Sequence, residues 1–401
     1  MTRTVLATCG LIAALAAAPA QAQKHYDPGA TDTTIKLGNT GPYSGPVSAA
    51  STVSKSIAAY FDKVNADGGI NGRKVEFISL DDGYAPPKAV EMTRRLVESD
   101  QVLAMVGSVG TPPQLAVRKY LNDRKVPQLF LATGASLFFD AKQSPYSIGG
   151  SLSYDKEARV LAKHIGDLMP DSGTKIAVLI QNDDFGKDFL HGFKEALPKT
   201  FTIAAEASYE TSDPSVNSQI IQLKESNAGM LVLFATQKFS AQAIRAAREV
   251  GWKAKIFVPS VIASIAAVLT PAGIENSTGV ITAAIAKDSN DPRIASDKDV
   301  AEYFDWFKTY NTKVEIKDSQ AATGGYIDAH LMVDVLKAAG NGLTRENLMR
   351  QVTSMKGVRV PMLLDGITAN ATPNDYNIFQ QMRFQQFNGK SWDAIGNVVS
   401  E

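Results

Sequence analysis

The stretch MVGSVGTPPQLAV, Met105 to Val117, is where this chain most clearly offers chemistry. An apolar run enters a glycine-bearing turn and then a helical pattern that opens on Pro112-Pro113. The mouth of a helix presents unpaired N–H groups and partial positive charge, so it suits an anion. Here the hydroxyls of Ser108 and Thr111 flank it. A nucleotide phosphate would need the Lys-Ser/Thr pair of G-x-x-x-x-G-K-S/T, and none follows. A smaller anion is expected.

Other reactive sets are missing. The four histidines, His25, His164, His191 and His330, show no H-E-x-x-H spacing, so no metal site is expected. Ser44 in GPYSG is not centred between glycines as a G-x-S-x-G elbow requires. No G-x-G-x-x-G opens a helix after the first strand, so no dinucleotide cofactor is expected. Asp183, Asp184 and Asp188 in NDDFGKD read as a capped, acidic first helical turn rather than a cation site. With no nucleophile–base or cofactor set, the chain reads as a binding protein and not an enzyme.

Short β-rich runs alternate with amphipathic helical patterns. Strands are expected in TIKLGNT from Thr34, KVEFISLDD from Lys74, VLAMVG from Val102 and QLFLA from Gln128. A second series comprises KIAVLIQ from Lys175, TIAAEASY from Thr202, GMLVLFA from Gly229, KIFVPS from Lys255 and GVITAAI from Gly279. Helical patterns between them include 47–66, 88–99, 157–167, 187–197 and 241–250. Such alternation predicts an α/β fold of two doubly wound lobes, their parallel sheets covered on both faces. Ligands of such sheets sit beyond the carboxyl ends of the strands. In the first lobe those turns are 38–46, with Tyr43 and Ser44, then 107–113, and then 132–136, with Thr133, Ala135 and Ser136. DDGYAPP, 81–87, reads as a capped turn. In the second lobe the turns at 181–188 and 235–242 bring Phe185 and Phe239. One polar jaw and one aromatic jaw closing on a small molecule are expected. EYFDWFKTY, 302–310, is an aromatic stripe at helical spacing and reads as core packing.

The first 22 residues run from Arg3 through an apolar stretch to Ala20-Gln21-Ala22, the order of a cleavable export signal. Export from the cytoplasm is therefore expected. Cys9, the only cysteine, lies within that signal, so disulfides and thiolate chemistry are excluded from the mature chain. Lys plus Arg and Asp plus Glu both number 41 in 401 residues. That balance, without basic or acidic tracts, argues against nucleic acid and membrane surfaces as partners.

The blocks YSGP, NADGGINGRKVEFISLDDGYAPPKAVEMTRRLV, VPQLFLATGAS, IAVLIQNDDFGKDFLHGF and AIRAAREVGW closely resemble the periplasmic leucine/isoleucine/valine-binding protein family. Its members are extracytoplasmic receptors of ATP-driven importers. The resemblance implies a type I periplasmic binding protein clamshell with a three-stranded hinge, monomeric and free of cofactors. One lobe would comprise 33–150 plus 280–359, the other 151–279 plus 360–401. The partners implied are a small carboxylate and the permease and ATPase subunits of an importer; a ligand sensor of the same fold is the alternative. The family holds the ligand carboxylate on two turns, matching Ser108, Gly110 and Thr111 and then Thr133, Ala135 and Ser136. Phe185 matches a ring that covers the ligand, and Tyr43 of YSGP joins the candidate set.

One departure stands out. Amino-acid receptors of the family place an acid after the strand matching GMLVLFA, to receive the ligand's ammonium. Here ATQKFSAQ holds no Asp or Glu. Either the cargo lacks an ammonium, as an aromatic acid stacked between Phe185 and Phe239 would, or a displaced acid serves, with Asp183, Asp184 and Asp328 as candidates.

Overall fold

The structure is a computed structural model and describes residues 24–401. The expected export signal lies outside the described residues. Five parallel strands form the first sheet, in the order Lys74–Asp81, Thr34–Gly41, Ala104–Val106, Gln128–Leu131, Ser147–Gly149. Ala104–Val106 and Gln128–Leu131 are buried throughout, as strands between two helical layers must be. Helices Pro86–Arg94 and Thr111–Asp123 pack together over a cluster of Leu96, Met105, Val117, Leu121 and Val126. Helices Ser51–Ala66 and Ser319–Ala339 pack against each other and also against strands of this sheet.

The second sheet has seven strands, in the order Trp392–Ser400, Gln381–Phe387, Ile281–Ala284, Lys255–Phe257, Met230–Phe234, Lys175–Gln181, Thr202–Tyr209. The last five run parallel, and the first two form an antiparallel hairpin at the edge. Helices Tyr154–Leu168 and Asp184–Ala196 form one packed pair, Asn217–Lys224 and Gln237–Glu249 another. Helix Asp184–Ala196 starts on Asp183, whose carboxylate accepts the amides of Phe185 and Gly186 at 3.0 and 3.4 Å.

Three passages join the two α/β units. The first leaves strand Ser147–Gly149 for helix Tyr154–Leu168. The second follows strand Ile281–Ala284 and leads to helix Lys298–Tyr310, which packs on Ser51–Ala66. The third links helix Arg345–Val352 to strand Gln381–Phe387. Because 281–284 pairs within the second sheet, the middle passage begins after residue 284 rather than at 280. In helix Lys298–Tyr310, Trp306 packs on Tyr326 with ring centroids 4.8 Å apart, so the aromatic stripe of this helix is core.

Candidate ligand-binding site

The carboxyl ends of the first sheet's strands bring the turns 107–111 and 132–136 side by side. The Thr111 and Thr133 hydroxyls are 2.6 Å apart, and the amide of Gly110 donates to the Ala132 carbonyl at 3.3 Å. Ser108 Oγ accepts the Thr40 amide at 3.1 Å, and the Val109 amide donates to the Thr40 carbonyl at 3.0 Å. Thr133 Oγ1 accepts the Ala135 amide at 3.3 Å. The amides of Thr111 and Thr133 find no acceptor among the described residues. Six candidate residues, Ser108, Gly110, Thr111, Thr133, Ala135 and Ser136, thus share one polar edge. Tyr43 stands on a neighbouring turn, its hydroxyl 2.6 Å from Ser79 Oγ.

The second unit reaches over this edge with its own polar groups. Asp188 accepts the Ser136 amide at 2.8 Å and the Ser136 hydroxyl at 2.7 Å. A protein carboxylate therefore sits where the sequence suggests an anion. Burial pushes the Asp188 pKa up, while the two bonds from Ser136 pull it back. The Tyr154 phenol meets Gly134, Thr133 and Thr111, and burial raises its pKa to about 12. From the first unit, Tyr84 extends toward the second, and Gln181 Nε2 reaches its hydroxyl at 3.5 Å. Tyr84 has φ 62°, a left-handed conformation stabilised by its amide's bond to Asp82 Oδ1 at 2.8 Å. Gly110 has φ 99°, and a Cβ there would come within 2.5 Å of the Tyr84 ring. Only glycine fits beneath that ring.

Phe185 and Phe239 lie in the core of the second unit. Phe185 packs edge-on to Tyr154 at 5.2 Å, and Phe239 packs on Tyr209 at 4.2 Å. The apolar sides of their helices face the sheet, which turns both rings away from the cleft. Neither borders the open space.

That space is a cavity of about 260 Å³ beside the crossovers. Its walls come from both units: Ala49 and Val53, Gly324 and Asp328, and the turn 260–264 of the second unit. Val109 and Ala132 bring the polar edge to one wall, and Gly150 and Ala284 to Lys287 belong to the passages. The lining is mostly small and apolar. Under one wall, the buried carboxylate of Glu157 accepts the Ser260 amide and hydroxyl at 2.7 and 2.6 Å. Burial raises the pKa of Glu157 to about 7 against those two bonds. Asp328 lies on a wall with no bond to any described residue.

Comparison with known proteins agrees with this architecture. A family profile described as periplasmic binding protein matches residues 34–391. The chain belongs to that family. This periplasmic binding protein is 22% identical to an amino acid binding protein of Pseudomonas aeruginosa, over 67% of this chain and 71% of that one. It is 22% identical to the Leu/Ile/Val-binding protein homolog 7 of Brucella abortus, over 56% of this chain and 58% of the relative. Among solved structures it resembles a branched chain amino acid ABC transporter protein of Thermus thermophilus with bound valine, with a TM-score of 0.81 at 14% identity, covering 92% of this chain and 96% of that one. A fatty acid ABC transporter substrate-binding protein of Thermomonospora curvata gives a TM-score of 0.76 at 22% identity, covering 94% and 95%. The family is one of non-enzymatic solute-binding proteins that work outside the cytoplasm.

Several groups that build the cleft of this binding protein were not legible as site residues. Tyr84 hides in a turn that reads as capped, which it is: Asp81 bonds Ser44, Gly83 and Lys88. Tyr154 and Asp188 read as ordinary helix residues. Val261 and Gly324 carry no chemical signal, because what they supply is shape.

Proposed function

We propose that this binding protein is the receptor of an ATP-driven importer, taking a small carboxylate between its lobes and delivering it to the permease. The carrying observation is the cavity, bounded by both units and by the passages that join them. A ligand touching both lobes favours the closed arrangement in proportion to its extra contacts there. At about 260 Å³ the space is small, below the usual range for drug-sized ligands, so the cargo is small too. The carboxylate approaches along the wall formed by Val109 and Ala132, toward the amides of Thr111 and Thr133. Charge-assisted hydrogen bonds of about 1.5–3 kcal/mol each would account for much of a micromolar affinity. Ser108, Gly110, Ala135 and Ser136 shape the two turns, and Tyr43 braces the neighbouring one. Phe185 and Phe239 act from behind, stiffening Tyr154 and Tyr209.

Thermal-shift screening followed by calorimetry against leucine, valine, phenylalanine, benzoate and 4-hydroxycinnamate tests the reading. At least one is expected to raise the melting temperature in a concentration-dependent way. Loss of uptake of that solute on gene deletion tests the importer role. Silence across the whole panel removes the small-carboxylate assignment.

A further inference from the structure

Two charged residues line the cavity, Lys287 and Asp328. Lys287 is committed elsewhere: its ammonium donates to Asp297 at 2.8 Å and to Asp299 at 3.1 Å. Asp328, on helix Ser319–Ala339, is 4% exposed and makes no hydrogen bond or ion pair with any described residue. Its oxygens rest against glycine backbone. A Cβ at Gly150 would stand 2.6 Å from Oδ1, and one at Gly107 3.9 Å from Oδ2. The other acids around the cleft are matched, Glu157 by Ser260, Asp183 by its helix amides and Asp188 by Ser136. Burial alone drives the Asp328 pKa well above the carboxylate range. A buried carboxylate lacking a partner is unfavourable, and a cation entering the cavity would remove that penalty.

We infer that Asp328 is the counter-charge for an ammonium group on the cargo, so that the solute is a small amino acid with an apolar side chain. This rests on the receptor reading above and narrows it. Val109 and Ala132 line the same cavity as Asp328, and the amides of Thr111 and Thr133 lie just beyond them, so a small zwitterion with its ammonium at Asp328 would direct its carboxylate toward those amides. Ala49, Val53, Val261 and Ile327 leave an aliphatic environment for the side chain. The turn 235–242 supplies no acid, and the ammonium of its Lys238 stands 4.7 Å from the Phe239 ring centre. An acid on the helix of the opposite unit takes over the task.

Calorimetric titration of the full protein with leucine, 4-methylpentanoate and 3-methylbutylamine separates the contributions of the two charged ends. Leucine is expected to bind the wild type at least roughly tenfold more tightly than 4-methylpentanoate. Asp328→Asn should weaken leucine by roughly a hundredfold and leave 4-methylpentanoate unchanged or tighter. That reversal of preference is not what general damage to the fold would give. The ligand-free variant should melt no lower than the wild type, since the Asp328 carboxyl has no hydrogen-bond partner among the described residues to lose and an amide is nearly its size. If 4-methylpentanoate matches leucine on the wild type, the inference is overturned without any variant, and the receptor reading stands. Equal weakening of both by Asp328→Asn overturns it as well. If neither these three nor phenylalanine and 3-phenylpropanoate bind, the receptor reading falls and the inference goes with it.

Discussion

The two ends of the cleft are made of opposite materials. Where Ser136 meets Asp188 and Thr111 meets Thr133, hydroxyls, a carboxylate and a phenol crowd together and satisfy one another. Beside the crossovers the walls are mostly alanine, valine, isoleucine and glycine, with a few serines, threonines and glutamines among them, and one acid is left unmatched. On the reading proposed here, the polar end closes the shell and the apolar end holds the cargo. The lesson concerns satisfaction. A hydroxyl-rich turn advertises binding in a sequence, yet most of its capacity is used by neighbouring protein groups. On the same reading, discrimination falls to Asp328, the group left without a partner among the described residues.

The strongest way to break this contrast is to fill the apolar end. Gly324 borders the cavity within helix Ser319–Ala339, and nothing stands within 4 Å of where its Cβ would be. Glycine inside a helix is about 1 kcal/mol less favourable than alanine, so Gly324→Phe should not harm the fold. Affinity for leucine should fall by about 4 kcal/mol or more, roughly a thousandfold. Undiminished binding, read by calorimetry, would put the cargo at the other end.

Glu157 offers the next test, as the matched acid set against unmatched Asp328. Its carboxyl titrates near pH 7 in the folded protein against an ordinary 4.5. Between those values the folded protein keeps a proton that the unfolded chain has released, so its stability falls as pH rises. At about 1.4 kcal/mol per pH unit, the loss by neutral pH is roughly 3 kcal/mol. Glu157→Gln should flatten that part of the profile and exceed the wild type in stability at about pH 8. Urea unfolding of both proteins across this range measures the difference. A gap that stays constant with pH would mean that Glu157 is not held in a proton-retaining site.

The Ser136–Asp188 contact probes the polar end itself. Two hydrogen bonds to a carboxylate contribute about 1.5–3 kcal/mol each, less whatever solvent recovers when the lobes part. Asp188→Asn keeps the size and loses the charge, so the ligand-free protein should shift about tenfold toward the open form. Small-angle scattering should then show a larger radius of gyration without ligand and no change at saturating leucine. An unchanged ligand-free radius would assign closure to other contacts.

How much of this was legible in the sequence follows from the same contrast. Strands buried on both faces announce themselves as apolar runs, and KIAVLIQ from Lys175 is the strand Lys175–Gln181. The hairpin Gln381–Phe387 and Trp392–Ser400 gave no such signal: its inner strand is rich in glutamine and a register shift between Met382 and Phe384 breaks the alternation, while its outer strand is a half-exposed edge. At the site, the turns were readable because glycine, serine and threonine cluster there. Which side chains face the cavity was not, since a helix hides its direction until the sheet is placed. Phe185 and Phe239 are as aromatic as a clamp would need, but their helices turn them inward. Asp328 was one of three candidate acids. Only the contacts distinguish it, because Asp183 caps its own helix while Asp328 lines the cavity unpartnered.

The smallest expected effect sharpens the division of labour between the two ends. When two hydroxyls pair, as Thr111 and Thr133 do at 2.6 Å, one donates to the other, and the acceptor's own hydrogen can turn toward the Tyr154 phenol or toward a ligand. A cargo carboxylate at the neighbouring amides can accept that hydrogen. Thr111→Val removes one hydroxyl from the pair, which should weaken leucine by about 1 kcal/mol. The amine 3-methylbutylamine has no carboxylate to lose a bond, so its affinity should not change. Asp328→Asn should do the reverse, weakening the amine and sparing 4-methylpentanoate. If Thr111→Val weakens amine and amino acid alike, the hydroxyl pair acts by holding the turn in shape, and the anion seat lies elsewhere along the edge.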